Sequence, residues 1–321
     1  MLSICIPAYN YINYIPEAID SCLSQDHDFE LIVLDDFDLF NFPSHSINDI
    51  KALRDQYSAD PRVKWFSNKS KLTIQSNWNK VVNLSNYSYV KLMGADDRLQ
   101  PGAISKISEM VRAYPKVGLH GHLARIIDID GCALRMQRPY SAESSHPILM
   151  SGVAALKGKL RQSVRFKEPV CNIFKKSAWE KVGGYSAKYR FCFDVHLNMQ
   201  IMATNECALW NEYLVDLRRH NQSDGAILPA SLALSDLQSL VDEILMTIGD
   251  DKTNGDLVAA NGWLLYRFLE LASQRLRRRP LDVWEMFLKN RSILLNNPLV
   301  YIQAGRLAAT RLLHHDIQQA L

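Results

Sequence analysis

The chain has 321 residues, of which 47% are hydrophobic and 22% are charged, the balance of an ordinary globular protein. This composition excludes a disordered or fibrous chain, and the length allows one large domain or two smaller ones. The formal charge is +3, from 37 basic and 34 acidic residues, so no nucleic acid partner is indicated.

The cysteines and the N-terminus bear on location. Six cysteines are widely spaced and none forms a C-x-x-C pair, so we expect free thiols in a reducing compartment. The first residues lack a basic region followed by a long apolar run, so no secretory signal is expected. No stretch approaches 18 consecutive apolar residues, so no transmembrane helix is expected. The sequence therefore predicts a cytoplasmic protein.

The first hundred residues alternate strand and helix patterns. Four short apolar runs predict buried strands: Leu2–Ile6, Leu31–Leu34, Val63–Phe66 and Tyr89–Met93. Pro16 and Glu17 suit the first turn of a helix after the first strand. Such alternation predicts a parallel α/β sheet, in which ligands bind beyond the carboxyl ends of the strands.

The rest of the chain changes character twice. Arg125–Ile129 predicts a strand that turns at Asp130–Gly131, whereas residues 136–168 are polar and predict an irregular, mobile loop. From about residue 230 helical periodicity dominates and predicts a helical appendage. The predicted helices of this half are Ser177–Val182, Asp194–Ala203, 232–248, 256–278, 281–290 and 299–314.

Polar side chains follow three of the predicted strands. Asp96 and Asp97 follow the fourth strand, and their hard oxygens suit Mg²⁺ or Mn²⁺, with a solvated turn or a helix cap as the alternative. Asp36 follows the second strand and can accept hydrogen bonds from a nucleobase or ribose, or cap a loop. Tyr9 follows the first strand and can stack on a base, or pack at the rim.

Two further candidates lie in the second half of the chain. Asp194 is flanked by aromatic residues at a helix start, which suits a general base with a raised pKa, although an N-cap is the simple alternative. Arg218–His220 can clamp a diphosphate or form a solvated charge run. Gly152–Lys159 is one residue too long for a phosphate-binding P-loop, and no G-x-G-x-x-G follows the first strand.

The order of these motifs resembles glycosyltransferase family 2 over roughly residues 1–225. Phe193–Asp194 stands where that family places its acidic catalytic motif. The other segments that carry the resemblance are Ser3–Asn10, Leu31–Asp36, Asn77–Asn79, Tyr89–Asp97 and Phe174–Tyr185.

This resemblance implies an inverting enzyme with a GT-A fold, a Rossmann-like mixed α/β sheet flanked by helices. It implies a nucleotide-sugar donor, most simply a UDP-sugar, and a Mn²⁺ or Mg²⁺ ion. Asp194 would be the general base. The implied donor contacts are Pro7, Tyr9, Asp36, Asn79, Lys80, Asp97, Arg219 and His220, and the implied metal ligands are Asp96 and Asp97.

Two departures from the family pattern weaken a direct transfer of roles. The family's metal motif is usually Asp-x-Asp-Asp, and Gly94 stands at its first position. The catalytic motif usually opens with Glu-Asp, and Phe193 replaces the glutamate. These departures motivate one alternative, a catalytically silent sugar-nucleotide-binding scaffold. A sugar nucleotidyltransferase is the other, although the loop Tyr9–Tyr14 lacks the glycine and arginine expected of it.

The resemblance also divides the chain. A glycosyltransferase domain is expected over residues 1–225, with a nucleotide-sugar half (1–110) and an acceptor half (111–225), followed by a helical region over 226–321. Basic and aromatic residues interleave over 261–311, which predicts either peripheral contact with an anionic membrane or packing on the core or a second subunit. The expected acceptor is a glycan or polyprenyl-diphosphate-linked glycan of a surface polysaccharide such as O-antigen, at the inner face of the plasma membrane.

Overall fold

The computed structural model describes residues 2–9, 12–36, 47–140, 146–161, 166, 168–219 and 228–275. By its internal contacts the chain forms two compact units. The sheet unit comprises residues 1–151, 166–187 and 200–220, and the helical unit comprises 152–165, 188–199 and 221–321. The predicted division near residue 225 stays a prediction.

The first part of the sheet unit confirms the predicted alternation of strands and helices. The continuous apolar runs of β1 and β2 are buried, as the inner strands of a parallel sheet require. Pro16 lies in the first turn of α1, whose apolar face is buried. The elements are β1 (Leu2–Ala8), α1 (Ile15–Leu23), β2 (Phe29–Asp35), α2 (Ile47–Tyr57), β3 (Val63–Ser67), α3 (Ile74–Asn83), β4 (Tyr89–Leu92), β5 (Arg98–Leu99) and α4 (Ala103–Ala113).

The second part of the sheet unit adds longer strands. The turn at Gly131 joins β6 and β7 as predicted, although β6 begins well before Arg125. The elements are β6 (Val117–Ile127), β7 (Ala133–Met136), β8 (Ile148–Ser151), a short 3₁₀ turn, β9 (Asn172–Lys175), α6 (Lys176–Lys181) and β10 (Glu206–Arg218).

The strands of the described residues form one mixed sheet. Its order is β3-β2-β1-β4-β9-β6-β10-β5, with β7 on β6 and β8 on β10. The pairs β3-β2, β2-β1 and β1-β4 are parallel, so three consecutive crossovers build the first half of the sheet. β9 then pairs antiparallel with both β4 and β6. This arrangement confirms the predicted mixed α/β sheet.

The prediction of an irregular loop over residues 136–168 is wrong for residues 148–160. Ile148–Ser151 forms β8, because its backbone pairs antiparallel with β10. Gly152–Leu160 then forms α5, which buries Ala155, Leu156 and Leu160. The segment that mimics a P-loop is therefore a helix, not a phosphate-binding loop.

The helical unit contains α5, the first half of α7 (Phe193–Thr204), α8 (Ala230–Ile248) and α9 (Asn254–Arg275). α8 and α9 confirm the predicted helices there, and Arg161, just after α5, is 2.6 Å from the buried Asp256 of α9. Trp263 and Phe268 of α9 are buried, so they are not exposed to a membrane. The remainder of 261–311, beyond residue 275, lies outside the described residues, and membrane contact stays a prediction.

Two other expectations can be compared with the structure. All six cysteines are unpaired, as predicted from their spacing. Among the described helices, none is long and apolar enough to span a bilayer.

Candidate functional site

The carboxyl ends of three adjacent strands meet at one edge of the sheet. Ala8 pairs with Asp35, and the Asp36 N–H donates to the Ala8 carbonyl at 2.7 Å. On the other side of β1, the Met93 N–H donates to the Cys5 carbonyl at 2.9 Å. The loops that begin after these strands therefore leave the sheet side by side, as parallel pairing requires.

A cavity of about 380 Å³ opens beside Asp36. Its other lining residues are Asp35, Ile50, Lys51, Arg54, Ser67, Asn68, Lys69, Ser70 and Lys71. The Lys71 ammonium lies 4.9 Å from the centre of the Tyr9 ring, which brings Tyr9 to the same region. A cavity lined by acids and several cations, with an aromatic ring nearby, can accept a polar aromatic ligand that carries negative charge.

The two neighbouring acids of this cavity are held differently. Asp35 Oδ2 accepts hydrogen bonds from Trp65 Nε1 and Ser67 Oγ, both at 2.6 Å, so this carboxylate ties β2 to β3. Asp36 is only 6% exposed, and its Oδ2 accepts the Leu72 N–H at 3.0 Å. Burial raises the pKa of Asp36, although the Leu72 N–H lowers it in part. Asp36 thus combines the predicted loop cap with a position on the cavity wall.

α3 contributes two of the predicted donor contacts with different surroundings. Lys80 Nζ donates to Asn68 Oδ1 at 2.5 Å, which brings Lys80 to the cavity edge. The Asn79 amide is engaged by Tyr185: its Nδ2 donates to the Tyr185 carbonyl at 2.8 Å and its Oδ1 accepts the Tyr185 N–H at 2.7 Å. Asn79 therefore clamps the turn after α6, and its implied donor contact stays a prediction.

That turn needs glycine. Gly184 has a φ of 74°, and a Cβ there would lie 2.6 Å from Asn79 Oδ1 and 2.8 Å from Trp179 Cζ2. The segment Phe174–Tyr185, which resembles the family, thus packs β9 and α6 against α3.

Asp96 is half-buried in a turn, whereas Asp97 is not solvated. Asp97 is only 3% exposed, and its Oδ1 accepts the Arg218 N–H at 2.8 Å. Burial, together with the charge of Asp96, raises the pKa of Asp97 well above its usual range. A nearby cation would favour the ionised form, so the pair is electrostatically suited to a metal ion.

Gly94 lies close to both carboxylates. A Cβ at residue 94 would come 2.7 Å from Asp96 Oδ1 and would also collide with Asp97 Oδ2. A side chain at residue 94 would therefore require these two carboxylates to shift. Among the described residues, no group of three His, Cys, Asp or Glu side chains can hold a metal. Two carboxylates fit Mg²⁺ or Mn²⁺ when water and donor phosphates complete the shell.

The basic run after β10 has both buried and exposed members. Arg218 is buried: its Nε donates to the Asp96 carbonyl at 2.8 Å, and its guanidinium pairs with Glu17 and lies 4.6 Å from the Tyr14 ring centre. Arg218 therefore braces the Asp96–Asp97 loop and is not a solvated charge. Arg219 is exposed and pairs with Glu168. His220 lies outside the described residues.

The predicted base lies in the helical unit. Asp194 is half-buried in the first turn of α7, and the His196 N–H donates to the Cys192 carbonyl at 2.8 Å, so the helix starts before Asp194. The N-cap alternative is therefore wrong, because Asp194 is inside the helix. His196 is buried and its Nε2 lies 3.0 Å from Glu243 Oε1.

Comparisons with known proteins identify the class of this chain. The sequence profile of Glycosyl transferase family 2 matches residues 3–183, more than half of the chain. The chain therefore belongs to glycosyl transferase family 2, and the predicted family is confirmed.

Particular relatives match shorter stretches. Chondroitin synthase from Escherichia coli is 33% identical over 105 residues, which is 32% of this chain and 14% of that protein. Hyaluronan synthase from Pasteurella multocida is 32% identical over 105 residues, which is 32% of this chain and 10% of that protein. The aligned region is thus a small part of these relatives' length.

Solved structures share the fold at low identity. Residues 1–349 of S. aureus TarS, bound to UDP-GlcNAc, give a TM-score of 0.67 at 12% identity, covering 90% of this chain and 78% of that one. The mannosyltransferase PcManGT from Pyrobaculum calidifontis, bound to GDP-Man and Mn²⁺, gives 0.54 at 14% identity, covering 96% and 85%. The predicted GT-A fold is confirmed.

Sequence reasoning missed several residues of this edge. Asn68 and Lys71 lie in a polar run after β3 without a recognisable motif, and only the fold brings them to Asp36 and Tyr9. The sequence shows Arg218 only as part of a basic run, whereas its contacts extend to Glu17, 201 residues away in the chain. An apolar strand that ends in an arginine was the only signal available for it.

Proposed function

We propose that this glycosyltransferase domain moves a sugar from a nucleoside-diphosphate donor to a hydroxyl of a glycan or lipid-linked glycan acceptor, with inversion. The observation that carries the proposal is the meeting of Tyr9, Asp36 and Asp96–Asp97 at the carboxyl ends of three adjacent parallel strands. Surface polysaccharide synthesis, of the O-antigen type, is the proposed role, supported by the polysaccharide synthases among the relatives.

The proposed nucleoside end of the donor site is the cavity beside Asp36. Pro7 and Tyr9 border this edge, and Asp36 accepts a hydrogen bond from a nucleobase N–H while the Tyr9 ring stacks on the base. Lys71 and Lys80 add positive charge beside the negatively charged donor. A UDP-sugar is the proposed donor, since TarS is described with UDP-GlcNAc, and GDP-Man, described with PcManGT, is the competing one.

The proposed diphosphate end is formed by Asp96, Asp97, Arg219 and His220. Asp96 and Asp97 would hold a Mn²⁺ or Mg²⁺ ion, which would supply Lewis-acid stabilisation of the leaving diphosphate. Arg219 is exposed beside this loop and can exchange Glu168 for a donor phosphate, to which its planar guanidinium is well matched.

Asp194 is the proposed general base. Its carboxylate accepts the proton of the acceptor hydroxyl while that oxygen bonds to the anomeric carbon and the nucleoside diphosphate departs from the opposite face. One displacement of this kind inverts the anomeric centre. A positioned base of this type contributes roughly 10²- to 10⁴-fold to the rate.

Donor binding tests the proposal most directly. Thermal shifts are measured with Mn²⁺ and a panel of UDP-GlcNAc, UDP-GalNAc, UDP-Glc, UDP-Gal and GDP-Man, since a bound donor raises the melting temperature by mass action. We expect one UDP-sugar to give the largest shift, and Asp36→Asn to remove it. Asp55→Asn, on the exposed face of α2, is the matched control and should keep the shift.

Turnover separates the alternatives. The bound sugar nucleotide should release its nucleoside diphosphate in the presence of Mn²⁺. Binding without turnover, with or without added glycan acceptors, would favour the silent scaffold, and no binding of any sugar nucleotide would contradict the proposal.

A further inference from the structure

The segment that carries Asp194 is held by two carboxylates of one distant helix. Asp236 and Glu243 lie seven residues apart on α8, which is about two helical turns, so they project from the same side. Asp236 Oδ2 accepts the backbone N–H groups of Arg190 at 2.7 Å and Phe191 at 2.6 Å. Two consecutive backbone donors on one carboxylate oxygen fix the course of the chain just before α7.

Glu243 holds the same segment on both sides of Asp194. Its Oε2 accepts Lys188 Nζ and the Tyr189 hydroxyl, each at 2.7 Å, and its Oε1 lies 3.0 Å from His196 Nε2. Lys188 and Tyr189 precede the base, and His196 follows it by two residues. Glu243 therefore contacts residues on both sides of Asp194 through hydrogen bonds.

Packing reinforces these bonds. The Tyr189 ring is buried, and its centre lies 4.7 Å from that of His196. Phe191 packs against a cluster formed by α8 and α9, and the Arg267 guanidinium lies 6.0 Å from its ring centre. The buried members of that cluster are Ala230, Ala233, Leu234, Phe268 and Leu271.

The charges favour an ordered arrangement. Burial alone would raise the pKa of Glu243, but the hydrogen bonds from Lys188, Tyr189 and His196 outweigh it and lower the pKa to about 2. Glu243 is therefore ionised at neutral pH, and charge-assisted hydrogen bonds of this kind are the stronger ones. Burial lowers the pKa of His196, although its contact with Glu243 raises that pKa in part.

We propose that Asp236 and Glu243 are positioning residues, which fix residues 188–196 on α8 and so hold the Asp194 carboxylate in its reactive orientation. This inference rests on the proposed role of Asp194 as the base. A displacement of about 1 Å in a reacting group can lower the rate by about 10²-fold, so a distant clamp of this kind has a kinetic consequence. On this proposal α8 affects the reaction through the segment that carries Asp194.

The test uses the full chain with Asp236→Asn and Glu243→Gln. Asp242→Asn is the matched control, because Asp242 is the neighbouring exposed acid of the same helix. Hydrogen exchange followed by mass spectrometry reads the 188–196 segment directly. We expect exchange there to become about tenfold faster in both variants, with β1 and the control unchanged.

Kinetics provide the second measurement, with the sugar nucleotide that the wild type turns over fastest in Mn²⁺. We expect kcat to fall at least about tenfold in both variants, while the donor affinity from calorimetry stays within about twofold. Tyr189→Phe removes only one hydroxyl from Glu243 and keeps the ring, so it provides the same comparison at smaller amplitude if the charge variants fail to fold.

The outcomes are distinct. Unchanged exchange in the 188–196 segment, or a loss of unfolding free energy with wild-type kcat per folded molecule, overturns the positioning role. If Asp194→Asn itself keeps wild-type turnover, the proposed function of Asp194 fails instead. An inactive Asp194→Asn beside fully active Asp236→Asn and Glu243→Gln leaves the base in place and removes only the clamp.

Discussion

The sheet unit and the helical unit position their acidic residues by different means. In the sheet unit, Asp36 directly follows β2 and Asp97 follows β4 by five residues, and the pairing of β1 with β2 and β4 brings the two loops side by side. In the helical unit, the segment before and after Asp194 is held by side chains 45 to 55 residues further along the chain. The comparison teaches that backbone pairing brings the acids of the sheet unit to one edge, with added support from Arg218, whereas the helix start in the helical unit is held mainly by side-chain partners.

The largest effect that sharpens this comparison is expected at Asp194. Asp194→Asn should lower kcat by roughly 10²- to 10⁴-fold, because the amide cannot accept the acceptor proton. Donor affinity, measured by calorimetry, should stay near the wild-type value. If Asp194→Asn transfers sugar at the normal rate, then Asp194 of the helical unit takes no part in the chemistry.

A smaller effect is expected at Asp97, where substitution should raise the stability of the metal-free protein. Asp97→Asn keeps the acceptor for the Arg218 N–H and removes a buried charge whose pKa is raised mainly by burial. In the unfolded chain the pKa of this carboxyl is about 3.9. The metal-free wild type therefore loses stability as the pH rises from that value through the raised folded pKa, and the variant should not.

Calorimetric melting at pH 8 and pH 5 tests this sign. At pH 8 the metal-free variant should melt at least about 2–4 °C above the wild type, which corresponds to roughly 1 kcal/mol for a protein of this size, and the gap should narrow at pH 5. The stabilisation by Mn²⁺ should disappear in the variant, and Asp96→Ala should abolish any Mn²⁺ dependence of turnover. A lower melting point at pH 8 would contradict the burial argument.

The smallest effect on activity is expected at Asn79, where stability and donor binding together distinguish a structural role from a donor contact. Asn79→Ala removes both hydrogen bonds to the Tyr185 backbone and should lower the free energy of unfolding by about 1–3 kcal/mol in urea titrations. Donor affinity should change little. Asn83→Ala, exposed near the end of the same helix, is the control. Weaker donor binding at unchanged stability would instead support the contact implied by the family resemblance.

Prediction from sequence succeeded where the local pattern indicated only one kind of secondary structure. The apolar runs of β1, β2, β3 and β4 lie between polar turns, and each is a strand as predicted. It failed at β8, whose residues alternate in burial and become a strand only because β10 offers an edge. α5 was also missed, because its few buried side chains become recognisable only beside α8 and α9.

The sequence by itself determined the family, the alternation of strands and helices and the acids that follow three strands, because these depend on residue order and short-range periodicity. Tertiary structure alone decided that Arg218 braces the Asp96–Asp97 loop, that Asn79 clamps Tyr185 and that Asp236 and Glu243 hold the segment around Asp194. The physical reason is that hydrogen bonds between side chains and distant backbone leave no periodic trace in the sequence, and they form only after the sheet and helices have packed.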